Sequence, residues 1–156
     1  MTTYRLLLAA GLALALAALA LRVLHGRAAP AVVADALRTP GVLNPDVTQA
    51  TIASTICRHG WTATVRPPTE YTDGLKVRQL REYGLSGPAS AYQEDHLISL
   101  ELGGHPTDPH NLWPEPYPRA AQVDRIENEL NDAVCRRSLS LADAQRKESA
   151  LKHSAG

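Results

Sequence analysis

Between residues 103 and 118 the chain carries Gly103-Gly104 and five prolines, at 106, 109, 114, 116 and 118. Proline lacks an amide hydrogen and has a fixed φ, so no α-helix runs through this interval. Any fold must therefore be arranged around a stiff stretch of turns and extended chain. On one side lies 92–102, the most apolar part of the body, which also holds Glu94, Asp95, His96 and Glu101. On the other side Val123, Ile126, Leu130 and Val134 repeat at spacings of three and four, which predicts a helix over about 120–137. The order is an apolar strand, a glycine-containing loop, a second strand and a helix.

The remaining segments are read in the same way. Residues 28–44 are rich in Ala and Pro and then turn-like, and are expected to form a linker, with the domain proper spanning 46–153 and the linker 32–45. Asn44-Pro45 is a good helix start. It predicts a helix over about 46–58, with Val47, Ala50, Ala53, Ile56 and Cys57 on one face; Thr48, Thr51 and Thr55 lower its propensity and leave a strand as the alternative. Residues 61–65 read as a short strand stopped by Pro67-Pro68. A surface helix is expected over 75–83, ended by Gly84, and a last helix over 141–153.

At 156 residues the chain is one domain, which excludes a multi-domain enzyme or a long solenoid. Residues 6–21 hold only Leu, Ala and one Gly, between Arg5 and Arg22. That is the layout of a secretory signal, and residues 1–31 are assigned to it. An uncleaved N-terminal membrane anchor is the alternative, although sixteen residues is short of the ~20 needed for a span. Either way the rest works outside the cytoplasm: secreted, periplasmic or held at a membrane. The formal charge is zero, yet the leader contains three Arg and no acid, so the remainder has 13 basic and 16 acidic residues, a net of −3. The body is not a generally basic nucleic-acid coat. In an oxidising compartment Cys57 and Cys135 are expected to form a disulfide. It would close a loop of roughly 80 residues, worth about 4 kcal/mol. Two buried thiols are the alternative.

Asp95-His96 carries the chemistry. Burying an acid and an imidazole side by side in an apolar run costs several kcal/mol unless each finds a partner or a metal. A strand, a loop bent at Gly103-Gly104 and a second strand bring Asp95, His96 and Asn111 toward one small volume. The string Asp95-His96-Leu97-Ile98-Ser99-Leu100-Glu101-Leu102-Gly103-Gly104, followed by Asn111-Leu112-Trp113-Pro114-Glu115-Pro116, resembles the HNH-type, ββα-metal nuclease motif. With Cys57, Gly60-Trp61-Thr62 and Val65-Arg66-Pro67-Pro68 upstream, it is similar to a group of small exported bacterial proteins carrying that motif. The likeness covers about residues 39–146.

The resemblance implies an α+β fold: a small ββα-metal hairpin-plus-helix motif surrounded by two or three additional helices. It implies an endonuclease hydrolysing phosphodiester bonds of DNA or RNA. His96 matches the general base, and Asp95 the first ligand of a divalent metal, Mg²⁺ or Mn²⁺ foremost, with Zn²⁺ also admitted. Asn111 matches the middle position, where its amide holds the two strands and steadies the loop bearing His96. The third motif position is where this chain departs from the pattern, since Arg119 to Gln122 offers no good ligand. Asn128, Asp124 and Glu127 are nearby, and Glu115 or Asn131 is the choice. The departure leaves open a degenerate site that keeps the fold but not the metal: a non-catalytic exported binding or structural protein. His59, His105, His110 and His153 read as surface or tail residues and Trp113 as a core plug. Arg58, Arg66, Lys76, Arg78 and Arg81 either line a phosphate path or form a solvated helix face.

Overall fold

The computed structural model describes residues 31–154. The leader expected over 1–31 falls outside them except for its last residue. Among the described residues no helix is long and apolar enough to cross a membrane. The architecture is α+β: one two-stranded antiparallel sheet and several helices.

Strand β1 (Tyr92–His96) pairs with β2 (Leu112–Pro116), in a register that sets Asp95 opposite Trp113 and His96 opposite Leu112. A lone two-stranded ribbon is marginal in water. Here it is covered by helices α1 (Trp61–Val65), α2 (Thr69–Glu82), α3 (Tyr117–Cys135) and α4 (Leu141–Lys152), of which α2 and α3 pack on the ribbon. One core cluster gathers Val47, Ile52, Ile56, Ile98, Leu102, Val134, Leu141 and Ala144; a second holds Ala34, Leu97 and Trp113. Trp113 is fully buried against Tyr83, the core plug expected of it.

The loop between the strands is built on two glycines. Gly103 has φ +80°, and a Cβ there would lie 2.5 Å from Val47. A Cβ on Gly104 would lie 1.7 Å from the Ile98 carbonyl oxygen, so no side chain fits.

Helices α3 and α4 and the end of α2 agree with the spacing. Three expectations are corrected. The 46–58 segment is a series of turns with one 3-10 turn, Ile52–Ser54, not a helix or strand. Its threonines hydrogen-bond the backbone themselves: Thr51 Oγ1 donates to the Asp46 carbonyl at 2.8 Å and Thr55 Oγ1 to the Thr51 carbonyl at 2.7 Å. Asn44 does act as a cap, accepting from Asp46 N–H at 3.0 Å, but of a turn. Residues 61–65 are helical rather than extended. The stretch 32–45 is not a free linker. Ala34 and Thr39 are buried, Asn44 N–H bonds the Gly103 carbonyl at 2.9 Å, and His105 N–H bonds Val42 at 2.7 Å. The cysteines are joined as expected, Cys57 to Cys135, which ties the turn segment to the end of α3.

Candidate active site

A cleft of about 380 Å³ opens beside β1 and is lined by Arg66, Asp95, His96, Glu101, Asp124, Glu127 and Asn128, with Thr62, Gln93, Ser99 and Leu100. His96, the last residue of β1, is only 6% exposed. Its Nε2 lies 2.9 Å from the Pro106 carbonyl. A carbonyl only accepts, so Nε2 carries the hydrogen. Burial holds the imidazole below its ordinary pKa, which keeps it neutral at pH 7. Nδ1 then keeps its lone pair, on a ring that lines the cleft. That is the tautomer and protonation state a general base requires.

Asn111 is fully buried and all its polar atoms are used. Oδ1 accepts from Ile98 N–H at 3.0 Å; Nδ2 donates to the Ile98 and His105 carbonyls, both at 3.0 Å. The amide thus locks both ends of the 98–105 loop, and Pro106, which orients His96, follows directly. Asn111 is not part of the cleft wall.

Asp95 is the other expected residue present in the cleft, and its main partner lay outside the sequence reading. Lys152, the last residue of α4, is fully buried, with Nζ 2.7 Å from Asp95 Oδ2, 2.5 Å from Glu127 Oε1 and 3.4 Å from Glu148 Oε1. It also donates to the His96 carbonyl. Burial raises the Asp95 carboxyl, but the Lys152 charge and the hydrogen bonds of Glu115 and Lys152 outweigh it and hold the group below its ordinary value. Burial drives Lys152 toward the neutral form; Asp95, Glu148 and Glu127 overcome that and keep it charged. Burial pushes the Glu148 carboxyl well up, and the Lys152 charge offsets part of that.

Glu115 and Asn131, the two candidates for the third motif position, are not on the cleft wall. Glu115 is fully buried beside Asp95 and pairs with Arg119 Nε at 2.9 Å; burial, then the neighbouring Asp95 charge, raise it to about 8. Asn131 donates to the Glu101 carbonyl at 2.6 Å and more weakly to Ile56, so it ties α3 to the loop rather than facing the cleft. The α3 residues that do reach the cleft are Asp124, Glu127 and Asn128. Their spacing of three and four marks one helix face, a signal visible in the sequence. Nothing local to residue 152 marked it as part of the site.

The fit of a divalent ion is decided by these contacts. Carboxylate oxygens are the right donors for Mg²⁺ or Mn²⁺. Yet Asp95 Oδ2 already has an ammonium on it, and among the described residues no group of three His, Cys, Asp or Glu side chains is placed to hold a metal. As arranged, the residues do not fit a metal at Asp95.

The cleft is acidic, with Asp95, Glu101, Asp124 and Glu127 against Arg66, the one basic side chain on its wall among the described residues. Burial and then the Glu127 and Asp124 charges raise Glu101 to about 7. Lys76 is paired with Asp73 at 3.1 Å, and Arg58, Arg78 and Arg81 are not on the wall, so among the described residues no continuous basic path leads in. No family model, curated protein or solved structure matches this chain.

Proposed function

We propose that the chain is an exported hydrolase of phosphodiester bonds in DNA or RNA, with an HNH-like hairpin-and-helix site and His96 as general base. One observation carries the reading: the neutral His96 ring, pinned through Nε2 to the Pro106 carbonyl, with Nδ1 free on the wall of a cleft. Water held against Nδ1 gives its proton to the ring as its oxygen bonds to phosphorus. The bond from phosphorus to the leaving oxygen breaks, that oxygen takes a proton from solvent water, and the His96 ring returns its own to solvent. Arg66 offers the phosphate a guanidinium. Because four carboxylates face the polyanion, the reading calls for Mg²⁺ or Mn²⁺ accompanying the substrate phosphate, with no ligand set assigned.

A second reading, a non-catalytic exported binding or structural protein on the same fold, is favoured by the Lys152 ammonium on Asp95. The test is the full chain with plasmid DNA or RNA, in Mg²⁺, Mn²⁺ or Zn²⁺ and in chelator, beside His96→Ala and His96→Asn. Strand cleavage that falls about 10²- to 10⁴-fold in both variants supports hydrolysis. Cleavage unchanged by them refutes the role of His96. A folded wild type inert on both nucleic acids leaves the second reading.

A further inference from the structure

We propose that Lys152 is the resident cation of this site: its ammonium stands on the oxygens of Asp95, Glu127, Glu148 and the His96 carbonyl, where a divalent ion would otherwise sit. A fully buried ammonium persists only when opposite charges and acceptors surround it. Its Nζ donates to Asp95 Oδ2 at 2.7 Å and to the His96 carbonyl, and it is ion-paired with Glu127 Oε1 at 2.5 Å and Glu148 Oε1 at 3.4 Å. Every partner is an oxygen, three carboxylate and one main-chain carbonyl, the donor set of a hard cation. The partners come from β1, α3 and α4, so a single charge closes the site from three directions. Lysine suits the place because its charge is compact and its three donors rotate freely. Its side chain has no exposure and is not part of the cleft wall. It therefore acts through its neighbours, as a positioning residue for Asp95 and for the main chain of His96.

This inference stands apart from the hydrolase reading, and its test uses no substrate. Full-length wild type, Lys152→Ser and Lys152→Ser combined with Asp95→Asn are melted with and without Mn²⁺, and bound Mn²⁺ is followed by electron paramagnetic resonance. Lys152→Ser is expected to melt below wild type in the absence of ions and to recover with Mn²⁺ while taking up one ion per chain. Adding Asp95→Asn abolishes both effects, and wild type shows neither. A site lost merely for want of packing would not be rescued by a cation. The proposal is overturned if wild type takes up Mn²⁺ in a manner abolished in the single variant Asp95→Asn, measured beside it. It is also overturned if Lys152→Ser, folded or not, fails to respond to Mn²⁺, or if the double variant still responds.

Discussion

Replacing Asn111 by alanine removes three hydrogen bonds at once, to Ile98 N–H, the Ile98 carbonyl and the His105 carbonyl, each 3.0 Å long, the first two of them buried. Water has no ready access, since the side chain is fully buried. At about 1 kcal/mol net per bond the loss is about 3 kcal/mol, and stranded partners in a dry interior push it higher. For a domain of this size that is about 12 °C in Tm, at roughly 4 °C per kcal/mol. Urea unfolding of the full chain is the assay, with the midpoint shifting and the slope unchanged. Asn111→Asp sharpens the argument. It keeps the acceptor facing Ile98 N–H but turns an oxygen toward two carbonyls, so it must bind a proton and is less destabilised in acid than at neutral pH. The reasoning is refuted if Asn111→Ala costs less than about 1 kcal/mol, or if Asn111→Asp matches wild type at neutral pH.

Two further perturbations test the frame. Cys57→Ser with Cys135→Ser removes a crosslink spanning 78 residues, with an expected loss of about 4 kcal/mol in urea unfolding; a change within error would mean that the unfolded chain is not constrained by it. Burial, only partly offset by Lys76, raises Glu94 to about 8 from 4.5, and neither carboxyl oxygen has a hydrogen-bond partner among the described residues. The folded state therefore holds a proton that the unfolded chain has released. The stability this group contributes is full below its unfolded pKa and is lost as the pH rises through its folded one. Tm should fall between about pH 5 and about pH 9, and less steeply in Glu94→Gln; equal slopes would refute the assignment.

Much of the site was legible because its constraints are local. Proline and glycine bias the backbone wherever they stand, so the lack of an α-helix from residue 103 to residue 116 and the sharp loop followed from residue identity alone, although α3 already begins at Tyr117. The 3.6-residue repeat of Val123, Ile126, Leu130 and Val134 placed α3 within a few residues. Asp95 and His96 stood out because polar groups in an apolar run must be satisfied, and Asn111 through the motif that the string resembles. The errors have equally local causes. Threonine hydroxyls between 48 and 55 compete for backbone partners, and turns win over the helix that the apolar spacing suggests. The 32–45 stretch looks like a linker by composition, but its backbone finds partners in the Gly103 loop, which no pattern within the stretch announces.

By itself the sequence determined the ribbon, its glycine bend, the helices α3 and α4 and the acid–imidazole pair, since each rests on backbone geometry or periodicity over a few residues. Only the tertiary structure decided what meets that pair. Lys152 is 57 residues from Asp95 along the chain and is an unremarked polar residue at a helix end. Its role appears only when α4 packs across α3 and leaves its ammonium no solvent, so that it must take oxygens from whatever elements surround it. The same packing turns Asn131 to the Glu101 carbonyl and brings Asp124 and Glu127 to the cleft, because which helix face is inward depends on how α3 docks.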